Sequence, residues 1–318
     1  MTKIGFALSS EEFGAPRLVE IAQQAEQHGF DDLMISDHFH PWTDRQGNSP
    51  FLWPVIGGIG STTGLRVGTG VTCPTMRIHP VITAQAAATA ATMCRGGFYL
   101  GVGTGEALNE HILGDKWPIA DTRMAMLEEA VELMRLLWEG KETTFEGEFY
   151  VCENARIYNL PQDQIPVMVS AFGPKAAEMA GRIGDGFVST SPDKDNLQIF
   201  QKAGGRGKPA QAMVKMCWHE DEAQARKIIH ELWPNSGLTG ELAQELPTPR
   251  MFEQASEMVT EEMAVGDKPH GPDPERYVEH LKEYVDAGFT ELYVQQIGDD
   301  QEGFLRFWRD EVAPRLSL

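Results

Sequence analysis

Apolar residues along this chain fall into short continuous runs, separated by longer stretches in which they recur every three or four positions. The runs at Lys3–Leu8, Asp32–Ile35, Leu65–Val71, Phe98–Gly103, Ile165–Ser170, Gly186–Ser191, Ala212–Cys217 and Thr290–Gln295 read as buried strands. Between them, helical periodicity marks Pro16–Gln27, a short helix ending at Gly64, His79–Met93, Asp121–Trp138, a helix opening at Gly173-Pro174-Lys175, Asp221–Leu232, Pro274–Ala287 and Gln301–Val312. In the first of these, Leu18, Ile21, Ala22 and Ala25 share one face, and Pro16 and Gly29 mark its ends. Two segments break the alternation. Residues 143–160 are strand-rich and polar, a hairpin excursion, and residues 233–271 read as an insertion with one or two helices, including one over Met251–Met263. No long polar linker divides the chain, so the pattern predicts a single α/β domain, a (β/α)8 TIM barrel with two insertions. A doubly wound sheet is the alternative, because periodicity does not close a barrel.

Several predicted strands end in polar residues. In parallel α/β folds those carboxyl ends hold the ligand. The second strand runs into Ser36-Asp37-His38-Phe39-His40-Pro41-Trp42, the first into Ser9-Ser10-Glu11-Glu12, and the fourth into Thr104-Gly105-Glu106. His38 is suited to taking a proton near neutral pH, with Asp37 or Glu11 to orient its other nitrogen and Glu106 as partner acid. Trp42 can stack on a planar ring. The plain alternative is a capped loop with both histidines facing solvent. A metal on His38 and His40 is not expected, since no further ligands follow at zinc spacing. Gly101-Val102-Gly103-Thr104-Gly105-Glu106 matches neither the dinucleotide fingerprint nor the P-loop. The glycines at 68–70 and 101–105 suggest something packed close to the backbone, in the second case a flat ligand. Gly173-Pro174-Lys175 at a helix start offers free N–H groups and a cation, a fair phosphate cradle, and Thr75 and Arg77 could reach the same ligand.

Composition narrows the partners. With 47 acidic and 27 basic residues the formal charge is -20, which disfavours nucleic acid and anionic membranes as partners. An anionic ligand then needs a local gathering of Lys and Arg. Cys73, Cys94, Cys152 and Cys217 are widely spaced and read as reduced thiols of a cytoplasmic protein. Met1 to Leu8 starts a strand at once and has no signal-peptide pattern, and no apolar stretch reaches the roughly 18 residues of a membrane span.

Three strings carry a resemblance: Ser36-Asp37-His38-Phe39 with Pro41-Trp42, Gly101 through Glu110, and Ala180 through Phe187. In them the chain resembles the F420-dependent glucose-6-phosphate dehydrogenase group of the luciferase-like flavin and deazaflavin superfamily, over most of its length from Ile4 to Arg315. The resemblance implies a homodimer that holds coenzyme F420 across the carboxyl end of the barrel, with no metal and no nicotinamide. It makes His38 the base, Trp42 the neighbour of the deazaflavin ring, Glu106 the acid, and Glu11 the support of the histidine. It places Asp37, Gly70, Val71, Thr75, Thr104, Gly105, Asn109, Gly173 and Pro174 at the cofactor, with a cis peptide at Gly70-Val71.

The departures concern the substrate. Phosphosugar-oxidising relatives carry Ser-Gly-Lys after the sixth strand, where this chain has Thr190-Ser191-Pro192-Asp193-Lys194. A second family lysine aligns with Gln254, and the third basic anchor falls on Arg250, Lys268 or Arg276. Thr190, Lys194 and Gln254 are therefore the expected substrate contacts. The substrate is a sugar, a sugar phosphate or another secondary alcohol, and Asp193→Lys should improve phosphosugar use. An F420H2-dependent reductase, an FMN-dependent monooxygenase and a catalytically silent barrel serving as an interaction subunit are the competing readings.

Overall fold

The structure is a computed structural model and describes residues 2–316. Eight parallel strands close into a barrel: β1 (Lys3–Leu8), β2 (Asp32–Ile35), β3 (Arg66–Thr69), β4 (Phe98–Val102), β7 (Val167–Ser170), β8 (Gly186–Ser189), β9 (Ala210–Met216) and β10 (Glu291–Gln296). The sequential pairs β1–β2, β2–β3 and β3–β4 continue through β7, β8, β9 and β10, and β10 returns to β1 with Lys3 opposite Glu291. Between β4 and β7 lies the expected hairpin, β5 (Thr143–Glu146) paired antiparallel with β6 (Val151–Ala155). Closure removes the doubly wound alternative.

Alternation along each strand sorts side chains into two cores. Phe6, Leu33, Val67, Leu100, Val169, Phe187, Val214 and Val294 point outward into the shell of helices. Ala7, Met34, Tyr99, Met168, Val188 and Tyr293 fill the lumen, with Met213 packed against them. Below this layer, at the amino ends of the strands, Arg66 bonds Asp32, Glu291 (2.7 Å) and the Tyr293 hydroxyl (3.0 Å), and Gln211 donates to Glu291 at 2.8 Å. This ionic plug closes the bottom, so the lumen opens only at the carboxyl end.

The glycines expected to lie against a ligand mostly lie against protein. A Cβ on Gly68 would sit inside the Tyr99 ring, one on Gly70 would meet Met34 Cγ at 2.4 Å, and one on Gly103 would meet Val71 Cγ2 at 2.7 Å. Large lumen side chains need bare backbone opposite them. The third strand also ends earlier than the run to Val71 suggested, at Thr69. Gly70 N still bonds Ile35 O on β2 (2.8 Å), whereas Thr72 N bonds Gly101 O on β4 (2.9 Å). The chain steps across between these two ladders, and the Gly70–Val71 bond there is cis, as the resemblance implied.

The 233–271 insertion differs from the single Met251–Met263 helix. After a single helical turn at Leu242–Glu245 it holds the helices Pro249–Ser256 and Glu261–Val265, each started by a threonine whose hydroxyl accepts a backbone N–H, from Met251 for Thr248 and from Met263 for Thr260. The second cap at Thr260 forces a new start and breaks the run. The insertion packs Val259, Ala264 and Val265 with Trp233, Cys217 and Ile297 in a small core of its own beside the barrel mouth.

Candidate active site

His38 sits just past the end of β2, and Glu11 just past the end of β1. Adjacent pairing of these strands brings their loops together. Ser10 N donates to Ser36 Oγ at 3.0 Å, and the Ser9 and Ser36 hydroxyls both donate to Glu11 Oε2 at 2.8 Å. The other carboxylate oxygen, Oε1, lies 3.4 Å from His38 Nε2. His38 Nδ1 faces the backbone carbonyl of His40 at 3.2 Å. Both neighbours only accept, so each ring nitrogen faces an acceptor, a carbonyl at Nδ1 and a carboxylate at Nε2. The imidazole is thus held between a backbone carbonyl and the Glu11 carboxylate. Asp37, the other candidate, has both oxygens engaged elsewhere, by the Thr72 hydroxyl and the Arg77 guanidinium, each at 2.8 Å. His40 is tied to Leu108 O at 2.9 Å, and no group of potential metal ligands occurs among the described residues.

Asn109 joins the two catalytic loops. Its side-chain oxygen accepts from the backbone N–H groups of Phe39 (2.9 Å) and His40 (3.1 Å), while its amide nitrogen donates to Glu106 Oε2 at 3.2 Å. Glu106 precedes the single-turn helix Ala107–Glu110 and is half-buried at the mouth. Behind it lies an ionic lock that sequence reasoning missed. Arg77 binds Asp37, and its backbone N–H donates to Glu110 at 2.9 Å. Burial pushes Glu110 up to about 7 against the pull of Arg77. Arg77 is therefore committed inside the protein and does not reach a ligand. Thr75 is fixed nearby: its hydroxyl meets Cys73 Sγ at 3.0 Å and its carbonyl accepts from Tyr150 of the hairpin at 2.9 Å. Gly105 takes φ +79°, and a Cβ there would lie 2.6 Å from Cys73 Sγ.

Trp42 packs on His38 with ring centroids 5.0 Å apart and edge-on against Phe252 of the insertion at 5.1 Å. Trp42 also packs against the core around Trp233, where a second cluster stands without a counterpart in the sequence reading. Trp233 Nε1 donates to Glu12 Oε1 at 2.8 Å, Gly298 N donates to Glu12 Oε2 at 2.7 Å, and Lys215 Nζ lies 3.4 Å from the centroid of the Trp233 ring. Burial raises Glu12 to about 7, opposed by the bonds from Gly298 and Trp233.

The remaining expected contacts divide. Val71, Thr104, Gly105, Gly173 and Pro174 all lie on carboxyl-end loops, and the space beside Gly173, at the start of the Pro174–Ile183 helix, is open. Thr190, Lys194 and Gln254 are exposed. Asp193 has a structural duty: Oδ1 accepts from Asp195 N (3.0 Å) and Asn196 N (2.9 Å), capping the Lys194–Phe200 helix. Of the three basic candidates, Arg276 pairs with Glu222 at 2.8 Å, Arg250 is exposed, and Lys268 is partly buried near Lys215.

A closed parallel barrel with a histidine and carboxylates gathered at the carboxyl ends of its strands has the layout of a TIM-barrel enzyme. Residues 1–291 match the luciferase-like monooxygenase family model, and the chain belongs to that family. Among its relatives are proteins described as F420-dependent glucose-6-phosphate dehydrogenase. The one from Nakamurella multipartita is 36 % identical over 99 % of this chain and 96 % of its own length, and the one from Rhodococcus hoagii is 38 % identical over 99 % and 97 %. A solved structure, an F420-dependent secondary alcohol dehydrogenase in complex with an F420-acetone adduct, superposes with a TM-score of 0.91 at 28 % identity, covering 98 % of both chains.

Proposed function

We propose that this protein is an F420-dependent dehydrogenase that oxidises a CH–OH group of a sugar or another secondary alcohol, with His38 as the base. The observation that carries the reading is the placement of His38 at the mouth, with Nδ1 on the His40 carbonyl and Nε2 beside Glu11. The relatives' dependence on F420 supports the cofactor.

The residues fit that group. Trp42 and Val71 offer apolar surface, Glu106 a carboxylate, and the Gly173 helix start open space with unpaired N–H groups for an anionic tail. When bound, F420 supplies the two-electron acceptor for hydride. The chain does the rest. His38 Nε2 takes the hydroxyl proton as the C–H bond is lost, and the Glu11 carboxylate at 3.4 Å stabilises the imidazolium that results. Asn109 fixes Glu106 through Oε2, leaving Oε1 to hold the balancing proton. Trp42, fixed edge-on by Phe252, shields the reacting carbon from water. Reduction of a carbonyl by F420H2 uses the same groups in reverse.

His38→Ala should abolish turnover while F420 affinity, followed by cofactor fluorescence, changes by less than about threefold, the pattern of an interaction made only in the transition state. Lost affinity with unchanged turnover at saturation would contradict the assignment. The reading includes a homodimer in the cytoplasm. A groove of about 230 Å³ between the Leu52–Thr62 and Pro80–Met93 helices, flanked by exposed Ile82 and Met93, suits a second copy, and four buried free thiols suit a reducing compartment. Light scattering on the purified protein tests the dimer.

A further inference from the structure

Lys215 is the one lysine placed in the lumen of the barrel among the described strand residues. On β9, Ala212, Val214 and Met216 point outward, and Met213 packs into the lumen core. The two-residue period therefore sends Lys215 into the lumen as well, one pleat nearer the mouth. In the neighbouring strand β10, Tyr293 and Gln295 show the same phase, and Gln295 reaches Glu12 at 3.4 Å. The stem of Lys215 is partly buried, and its Nζ rests on the Trp233 ring face, 3.4 Å from the centroid. Among the described residues no oxygen is hydrogen-bonded to that nitrogen. Glu11 and Glu12 attract it from the β1 loop, and Lys268 repels it from the insertion. Burial pulls the ammonium down to about 7 despite the two carboxylates. The aromatic face leaves the hydrogen-bonding capacity of the amine unused, and a ligand oxygen in front of it would take that capacity up.

The same Glu11 lies 3.4 Å from His38 Nε2, so Lys215 and the base share one carboxylate neighbour. A hydroxyl placed at Nε2 has Glu11 on one side and Trp42 on another. Lys215, drawn by Glu11 and resting on Trp233, marks a further side of that position.

We propose that Lys215 donates a hydrogen bond to a second oxygen of the substrate, on the carbon next to the one oxidised. This deepens the proposed dehydrogenase reading and rests on it. The site then selects alcohols with a vicinal oxygen, such as sugars, vicinal diols or 2-hydroxy acids, over simple secondary alcohols. The contact lies at the reacting centre and does not depend on Lys194 or Gln254.

Propylene glycol and isopropanol differ by that single oxygen, and glucose presents it within a ring. Steady-state F420 reduction by the full-length protein should show kcat/KM at least 30-fold higher for glucose and propylene glycol than for isopropanol. Lys215→Met keeps the apolar stem over Trp233 and removes the donor. It should erase the preference, mostly through KM, and leave isopropanol turnover and F420 affinity within about threefold of the wild type. Lys215→Gln, which retains a donor, should keep part of the preference. Equal loss with all three substrates would overturn the proposal, because Lys215 would then act through Glu11 and His38. A wild type that oxidises isopropanol as well as the diol would overturn it too. If the wild type binds F420 but reduces it with none of them, the dehydrogenase reading itself fails in the unmutated protein, and this inference fails with it. Circular dichroism and thermal melting guard against misfolding as the cause of any loss.

Discussion

Asn109 offers a sharp test of how the site is held together. Its side chain is buried, and Asn109→Ala removes the acceptor shared by Phe39 N and His40 N as well as the donor to Glu106. Each stranded backbone N–H costs about 1–3 kcal/mol when water cannot replace the partner. Phe39 is half exposed, which lets water reach part of this loop, so the expected total is about 2–4 kcal/mol. For a chain of this size that corresponds to a fall in Tm of roughly 3–6 °C. The segment released carries His38, and the carboxylate released is Glu106, so kcat should fall at least about tenfold. Asn109→Asp separates the two effects. It keeps the acceptor for both N–H groups and sets a carboxylate against Glu106. It should retain most of the stability near neutral pH yet lose turnover like the alanine variant. Urea denaturation and steady-state F420 reduction measure the two quantities. An alanine variant within about 0.5 kcal/mol of wild type and fully active would refute the joint role of Asn109.

Two other substitutions test separate parts of the structure. Glu12, raised to about 7 in the fold, binds a proton there that the unfolded chain releases near 4.5. Its contribution to stability is present below about 4.5 and falls as pH rises toward 7, by about 3 kcal/mol at most. Glu12→Gln should therefore flatten the decline in Tm between pH 5 and 8, with the Glu110 contribution remaining. An unchanged pH profile would contradict the assigned burial. Asp193→Lys should cost about 1 kcal/mol by removing a helix cap, while Asp193→Asn keeps it. The lysine variant is no longer expected to improve phosphosugar use, and a gain in that activity without loss of stability would show that this cap matters less than its geometry implies.

The barrel was legible because each strand is buried on both faces, which leaves uninterrupted apolar runs such as Phe98–Val102. The placing of Glu11, His38, Trp42 and Glu106 on one rim followed from strand ends alone. What a side chain binds was less legible. Arg77 looked like a ligand contact, yet it is paired with Asp37 of the neighbouring loop. The glycines of β3 and β4 pointed to close approach correctly, but tertiary packing of Tyr99 and Met34 supplied the approaching atoms. Asp193 looked like a substituted phosphate residue, although Asp followed two and three positions later by helical N–H groups also fits a cap. Lys215 had a signal that was passed over: a single cation in the apolar run Met213-Val214-Lys215-Met216, in the same phase as Met213. Which phase faces the lumen became clear only once the barrel closed.

The central claim is that hydride passes from a CH–OH carbon to F420 at the rim where His38 stands. Its most direct test uses glucose or propylene glycol deuterated at the carbon to be oxidised, with mass spectrometry of the F420 recovered after anaerobic turnover. One deuterium should be gained by F420 for each substrate molecule oxidised, and none with His38→Ala. Tight binding of FMN with oxygen consumption, and no label in F420, would contradict it.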